Sequence, residues 1–317
     1  MAMNRVQFQP GLSMFEFFQR YGSLEQCEAA VAACRWPQGF ECSRCKAAAF
    51  WGFRRGGQAY RECTSCGYQC SLIAGTMFAG SKLPLTVWFM ALQLLSQSKN
   101  NVSALELKRQ LGVSYPTAWL LKHKIMESMR RREECRQLHG RVEIDDAYLG
   151  GERCGGKAGR GSENKVPFVL AVQTIGPGAA PDLVCVQQLP LRKEAIAEFC
   201  AQHLARPLTV VSDGLACFRA AAEAGVHEAI VTGGGRSSAQ HPEFNAVNIM
   251  LGNLKTAITG TYHAFRFAKY APRYLAEFQF RFNRRYDMKQ MLPAMLQALM
   301  AAPAASLRSL RAPEAGC

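Results

Sequence analysis

No stretch of this chain is both long enough and apolar enough to cross a bilayer, which takes roughly 20 residues. The longest apolar run, Leu83 to Leu95, is interrupted by Thr86 and Gln93 and is expected to form a buried helix. The first residues, MAMNRVQFQPGLSMFEFF, lack the basic segment, apolar run and small-residue cleavage site of a secretory signal. A cytoplasmic chain with no membrane partner is therefore expected. No internal repeat stands out. Glycine-rich loops at Gly150 to Gly161 and Gly233 to Gly235 lack the strand-and-helix context of a phosphate-binding loop and are expected to be mobile. Acidic residues are scarce, with 24 Asp and Glu against 38 Lys and Arg, a net charge of +14. That bias favours a polyanionic partner, nucleic acid ahead of anionic membrane, and carries no information about fold.

Apolar residues are plentiful. At 49% hydrophobic and 20% charged over 317 residues, the chain can bury a sizeable core, which excludes global disorder. Its length points to two or three domains. Thirteen cysteines are scattered along it, and in a reducing compartment they suggest metal binding before disulfides.

The pattern divides the chain into segments. Residues 1–80 hold two capping boxes, Ser13-x-x-Glu16 and Ser23-x-x-Gln26, each able to satisfy free amides at the start of a short helix. A hairpin follows, centred on Gly56-Gly57. Residues 81–138 are helical. Residues 139–300 alternate short apolar runs with helical stretches in the order β-β-β-α-β-α-β-α, and residues 301–317 form a tail. This is an α/β chain with a mixed sheet and covering helices.

Cys42-x2-Cys45 and Cys63-x2-Cys66, seventeen residues apart, have the spacing of a four-thiolate zinc ribbon. So small a module has little core, and the metal would supply much of its folding free energy. Cys70 is near enough to substitute, but four ligands are already present. Cys27, Cys34, Cys185, Cys200 and Cys217 lie among apolar residues and are expected to be packing. Val102 to Leu111, Gly112-Val113-Ser114 and Tyr115 to Met129 resemble a helix-turn-helix whose second helix presents Lys122, His123 and Lys124. A plain helical hairpin fits the same periodicity, and the basic charge tilts the reading towards DNA.

Asp145 lies within the first strand of the third segment, and Asp213 ends another strand just before Gly214, where open sheets place functional side chains. On the helix from Phe244, Val247, Met250, Leu251, Leu254 and Ile258 should face the sheet. Asn248 and Lys255, two turns apart, stack within about 20° of one another on a different face. Paired magnesium ions held by oxygen ligands suit phosphodiester chemistry, and carboxylates supply ligands and countercharge. Taken singly, each residue has a plainer reading: an aspartate before glycine forms turns, and a helical asparagine is solvated.

In order and wording, VEIDDAYLGG, GRGSENK, VVSDG, FNAVNIMLGNLKTAITGTYHAF and KYAPRYLAEFQFRFNRRYDM resemble bacterial insertion-sequence transposases of the DDE class. The likeness extends over nearly the whole chain. More narrowly, it resembles the branch with an N-terminal zinc ribbon and an RNase H-like catalytic domain, in which asparagine followed by lysine can replace the third acidic residue. The resemblance implies that Asp145, Asp213 and Asn248 hold two magnesium ions and that Lys255 pairs with a phosphate oxygen. It implies further that water cuts the element's end and the freed 3′-hydroxyl attacks target DNA, without a covalent protein intermediate. Partners would be double-stranded DNA, at the terminal inverted repeats and the target, and further copies of the chain in a dimer or larger synaptic complex.

Two points stay open. Strand alternation sends Asp146 to the face opposite Asp145, and Glu243 is a second candidate for the third carboxylate. Between Phe265 and Tyr286, Arg273, Arg281, Arg284 and Arg285 are expected to face DNA beside a buried aromatic stripe of Tyr270, Tyr274, Phe278 and Phe282. Exchanging Arg284 and Arg285 for glutamine should then flatten the salt dependence of binding. The alternatives are a zinc-ribbon regulator with an inactive RNase H-like domain, and a metal-dependent nuclease that does not join strands.

Overall fold

The computed structural model describes residues 6, 8–151, 162, 164–231, 241–262 and 265–312. The expected loops at Gly150 to Gly161 and Gly233 to Gly235 lie, beyond Gly151, outside the described residues. The chain forms two compact units, one of Met1–Ser128 with Tyr286–Ala312, the other built on Met129–Arg285. These limits differ from boundaries at 138 and 300, because the segment after Arg285 packs with the first unit.

In the first unit, helices α1 (Met14–Tyr21) and α2 (Leu24–Arg35) both open on complete capping boxes, Ser13 with Glu16 and Ser23 with Gln26. Strands β1 (Phe50–Arg55), β2 (Gln58–Cys63) and β3 (Gln69–Ser71) form an antiparallel sheet in that order, with Gly56 and Gly57 at the β1–β2 turn. The apolar run expected to be helical is α3 (Leu85–Gln97), which buries Trp88, Phe89, Leu92 and Leu95. Helices α4 (Ala104–Leu111) and α5 (Tyr115–Glu133) are joined by Gly112-Val113-Ser114, and α5 continues across the unit boundary.

The second unit holds a five-stranded sheet of β4 (Leu138–Leu149), β5 (Val166–Thr174), β6 (Val184–Gln188), β7 (Leu204–Ser212) and β8 (Val226–Ala229). Its order is β6-β5-β4-β7-β8; β6, β5 and β4 run antiparallel, whereas β7 and β8 run parallel to β4. Helix α6 (Lys193–His203) and the 3-10 helix Ala216–Glu223 cover one face, packing on Val142, Ile144 and Val210. The other face, with Ala147, Leu149 and Val211, is covered by α7 (Asn245–Tyr262) and α8 (Phe267–Phe282). Val247, Met250, Leu251, Leu254 and Ile258 are the buried side of α7, as the periodicity requires. Back in the first unit, α9 (Met291–Ala301) buries Met291, Leu292, Met295 and Leu299, and the Met77 amide donates to the Leu299 carbonyl at 3.1 Å. The chain closes with α10 (Leu307–Arg311).

Helix α8 departs from the expectation of a basic outer face. Arg273 is 2% exposed, so this cation is buried rather than turned to solvent, and of the expected aromatic stripe Tyr274 is buried while Tyr270, Phe278 and Phe282 are half-buried. Arg281 pairs with Glu277 at 3.1 Å. Arg284 pairs with the buried Glu133 at 2.5 Å and lies 3.7 Å from the Phe280 ring centre. Arg285 donates to the carbonyls of Asp182 and Pro181 at 2.8 and 2.6 Å. Arg273 is thus buried and Arg281, Arg284 and Arg285 are half-buried and engaged within the chain, which departs from an outer face of arginines turned to DNA. Arg284→Gln should therefore act on stability. It leaves Glu133 with Arg136 at 3.4 Å as its remaining cation, and loss of one partner from a buried pair costs about 3 kcal/mol or more. Urea unfolding should show that loss, while the salt slope of DNA binding stays unchanged. Burial opposes ionisation of Glu133, but Arg284 and Arg136 outweigh it and lower its pKa. Its contribution is thus present at neutral pH and fades as pH falls through the carboxylate range.

Candidate functional site

Two clusters of ligand-type side chains occur among the described residues. The first is in the ribbon. Two knuckles, Cys42 to Lys46 and Cys63 to Gly67, repeat one backbone plan: the Lys46 and Gly67 amides donate to the Cys42 and Cys63 carbonyls, both at 2.9 Å. Lys46 and Gly67 share left-handed φ values of 65° and 68°, so each loop turns back at its second cysteine. The two knuckles thereby face their thiols inward. Cys42 and Cys66 Sγ are 3.7 Å apart, Cys45 and Cys63 Sγ 3.5 Å, and all four lie within 4.8 Å of one another. Four Zn–S bonds of about 2.3 Å in a tetrahedron put sulfurs about 3.8 Å apart, so the set fits zinc. Burial pushes the Cys63 thiol up, but the amides of Cys66 and Ser65 outweigh it and bring its pKa to about 6. Cys70 is buried beside this group and is not one of the four. Of the cysteines expected to be packing, Cys27, Cys185, Cys200 and Cys217 are buried and Cys34 is half-buried.

The second cluster is carboxylate. On adjacent parallel strands Glu143 aligns with Val211, and two further residues along each chain bring Asp145 alongside Asp213. The ladder ends before them, at Glu143 and Val211, and their carboxylate oxygens lie within 4.8 Å of each other. The turn holding Asp213 is fixed. Its Oδ1 accepts from the Leu215 amide at 3.0 Å, the Gly214 amide donates to Ser212 Oγ at 3.2 Å, and that oxygen lies 2.9 Å from His227 Nε2. Gly214 has φ 83°, and a Cβ there would come within 3.1 Å of Val231. Asp146 corrects a sequence expectation: oxygens of Asp145, Asp146 and Asp213 all lie within 4.8 Å of one another. Both residues remain paired with β5, at Leu170 and Val169, whereas β7 ends at Ser212 and leaves the other edge of β4 open beside them. The Asp146 amide donates to Asp145 Oδ1 at 2.8 Å instead.

Asn248 is half-buried in the first turn of α7 and Lys255 is exposed two turns on. Glu243 lies in the preceding 3-10 turn, where its carboxylate is ion-paired with Arg141. It is not among the three clustered carboxylates. Sequence reasoning passed over Glu143, wholly buried, whose Oε1 pairs with Arg141 at 2.8 Å and whose Oε2 accepts from the Val247 amide at 2.9 Å. Burial pushes its carboxyl pKa up, against the pull of the Val247 amide and Arg141.

The lysines expected to face DNA are inside. Lys122 is 1% exposed and its Nζ donates to the Val102 carbonyl at 2.5 Å. Lys124 Nζ donates to the Met77 carbonyl at 3.2 Å, and His123 stacks on Trp119 with ring centres 3.8 Å apart. Their ammonium groups replace water with carbonyl oxygens, which corrects the reading of this face as basic and exposed.

No curated protein matches the chain. Residues 137–283 match the family model of the ISXO2-like transposase domain, and residues 22–69 that of the transposase zinc-ribbon domain. The two matches, each containing one of the clusters, support an insertion-sequence transposase.

Proposed function

We propose that the chain is a DNA transposase that binds the terminal inverted repeats of its element and catalyses metal-dependent strand cleavage and strand transfer. The observation that carries this reading is the convergence of Asp145 and Asp213, whose oxygens lie within 4.8 Å of each other just past the end of β7, inside the segment similar to a transposase domain. The strand order, with three antiparallel strands followed by two parallel to the first, supports an RNase H-like fold for that segment. Asp145, Asp213 and Asn248 are the proposed ligands of two magnesium ions; the carboxylates offer hard oxygen donors and countercharge suited to them. Magnesium bound there would activate the attacking hydroxyl and stabilise the departing oxygen. Lys255, on the exposed side of α7, would pair with a phosphate oxygen of the bound strand.

In this reading the zinc ribbon and the α4–α5 pair recognise the element's ends. With Lys122 and Lys124 buried, the α4–α5 pair would meet DNA through exposed groups instead: Lys108 and Arg109 on α4, and Tyr115 at the start of α5. Recognition helices contact bases through their N-terminal residues, as this end would. Synapsis of two ends calls for a dimer or larger assembly acting on cytoplasmic, nucleoid DNA.

Strand-transfer assays with the element's own end sequences in magnesium test the proposal. Joined products are expected. Cleavage without joining would identify a nuclease, and binding without cleavage a regulator.

A further inference from the structure

Glu143 is an expensive residue for its place. It sits on the central strand, paired with Val172 on one side and Val211 on the other, and has no solvent exposure. A valine there would complete an apolar face, whereas a carboxylate must be desolvated and then satisfied. The structure satisfies it in two ways. Arg141, two residues earlier on the same face, neutralises it at 2.8 Å. The first turn of α7 supplies the Val247 amide at 2.9 Å, one of the donors that a helix start leaves without an internal partner. Arg141 in turn bonds Thr174 Oγ1 at 2.9 Å and pairs with Glu243 in the turn that leads into α7. One carboxylate therefore joins β4, two residues before Asp145, to α7, one residue before Asn248.

We infer that Glu143 is a positioning residue for the catalytic centre: it sets the distance between the strand bearing Asp145 and the helix turn bearing Asn248, so that both can serve one metal site. This rests on the proposed roles of Asp145 and Asn248. Hydrophobic packing of α7 on the sheet allows sliding by fractions of an ångström, because dispersion and burial are weakly directional. A hydrogen bond from a backbone amide adjacent to Asn248 is directional and fixes the register of the turn.

The test is Mn2+ binding to the zinc-loaded full chain, followed by electron paramagnetic resonance of the free ion, with near-UV circular dichroism and end-DNA affinity as checks on the fold. Loss of a group that orients a metal ligand weakens metal affinity about 10-fold or more. Glu143→Ala and Glu143→Asp, which remove or retract the acceptor, should each show that loss. Glu143→Gln keeps an oxygen for the Val247 amide and should restore most of the affinity, although it carries no charge. Adding Glu143→Ala to Asn248→Ala should bring no further loss, because a residue acting through Asn248 has nothing left to position. If Glu143→Ala does not fold, the Asp and Gln variants decide.

Equal weakening by Gln and Ala, additive losses in the double variant, or wild-type affinity in the Ala or Asp variant would each overturn the inference. Unchanged Mn2+ affinity in Asp145→Ala and Asn248→Ala would instead remove the metal reading beneath it, and the inference with it.

Discussion

Serine in place of Cys45 is expected to strip the chain of its zinc and unfold the ribbon. The packing around the four thiols is slight: Phe40 and Cys70 are buried beside Cys42 and Cys63, with Trp36 and Ala47 partly buried against them. So few apolar groups cannot offset the entropy of ordering the ribbon loops. Structural zinc contributes apparent binding free energies of about 10 to 16 kcal/mol in small modules of this kind, comparable to the whole stability of a domain. A serine hydroxyl does not ionise at neutral pH and leaves a three-thiolate site open to water. Elemental analysis should find one zinc per wild-type chain and none in the variant, with a change in tryptophan emission from Trp36 and Trp51. Freshly purified wild type without zinc, or a variant with unchanged zinc, would refute the assignment.

Asp145→Ala and Asp213→Ala should each abolish cleavage while leaving affinity for end DNA nearly intact. Two carboxylate oxygens within 4.8 Å repel each other by roughly 1 to 3 kcal/mol at effective dielectric constants of 80 to 20. A bound cation converts that repulsion into attraction, and removal of one carboxylate forfeits part of the site. The expected loss in cleavage rate is at least roughly a thousandfold, about 4 kcal/mol of transition-state stabilisation. Affinity is carried by phosphate contacts elsewhere and should hardly move. Single-turnover cleavage and equilibrium binding, measured on the same preparations, separate the two effects. Full cleavage in magnesium by either variant would remove that residue from the active site. Asp146→Ala belongs in the same series, because its oxygen lies within 4.8 Å of those of the other two.

The parts of this architecture that were legible in the sequence are those set by local rules. Paired cysteine spacings gave the knuckles, Ser-x-x-Glu and Ser-x-x-Gln gave both helix starts, and 3.6-residue periodicity gave the buried side of α7. Cations were the failure. Charge along a sequence shows that a group is positive, not whether water or protein solvates it. Helix α5 is buried over Leu121 to Met129 without a break, so it has no polar face on which lysines could be placed. Lys122 and Lys124 end on carbonyls that lie 20 and 47 residues away in sequence. Glu143 was hidden for a related reason: besides Arg141 beside it, its partner is a backbone amide 104 residues on, which no side-chain pattern announces. Alternation sets Asp146 aside because it speaks of the direction in which a side chain leaves the strand, not of how near its oxygen comes to Asp145 and Asp213 once β7 has ended.

The return of Tyr286–Ala312 to the first unit has a bearing on synthesis. Chains emerge from the ribosome at roughly 5 to 20 residues per second and usually complete their N-terminal domain first. Here the order is reversed for the last step. Everything from Met129 to Arg285 leaves the exit tunnel before the segment that supplies the Leu299 carbonyl to Met77 and the Met288 amide to Gln9, at 3.1 and 2.9 Å. The acidic cluster can therefore be assembled on a nascent chain whose ribbon-bearing unit still lacks its final helices. A premature stop in the last tenth of the gene would leave the unit with the acidic cluster whole and the ribbon-bearing unit unfinished.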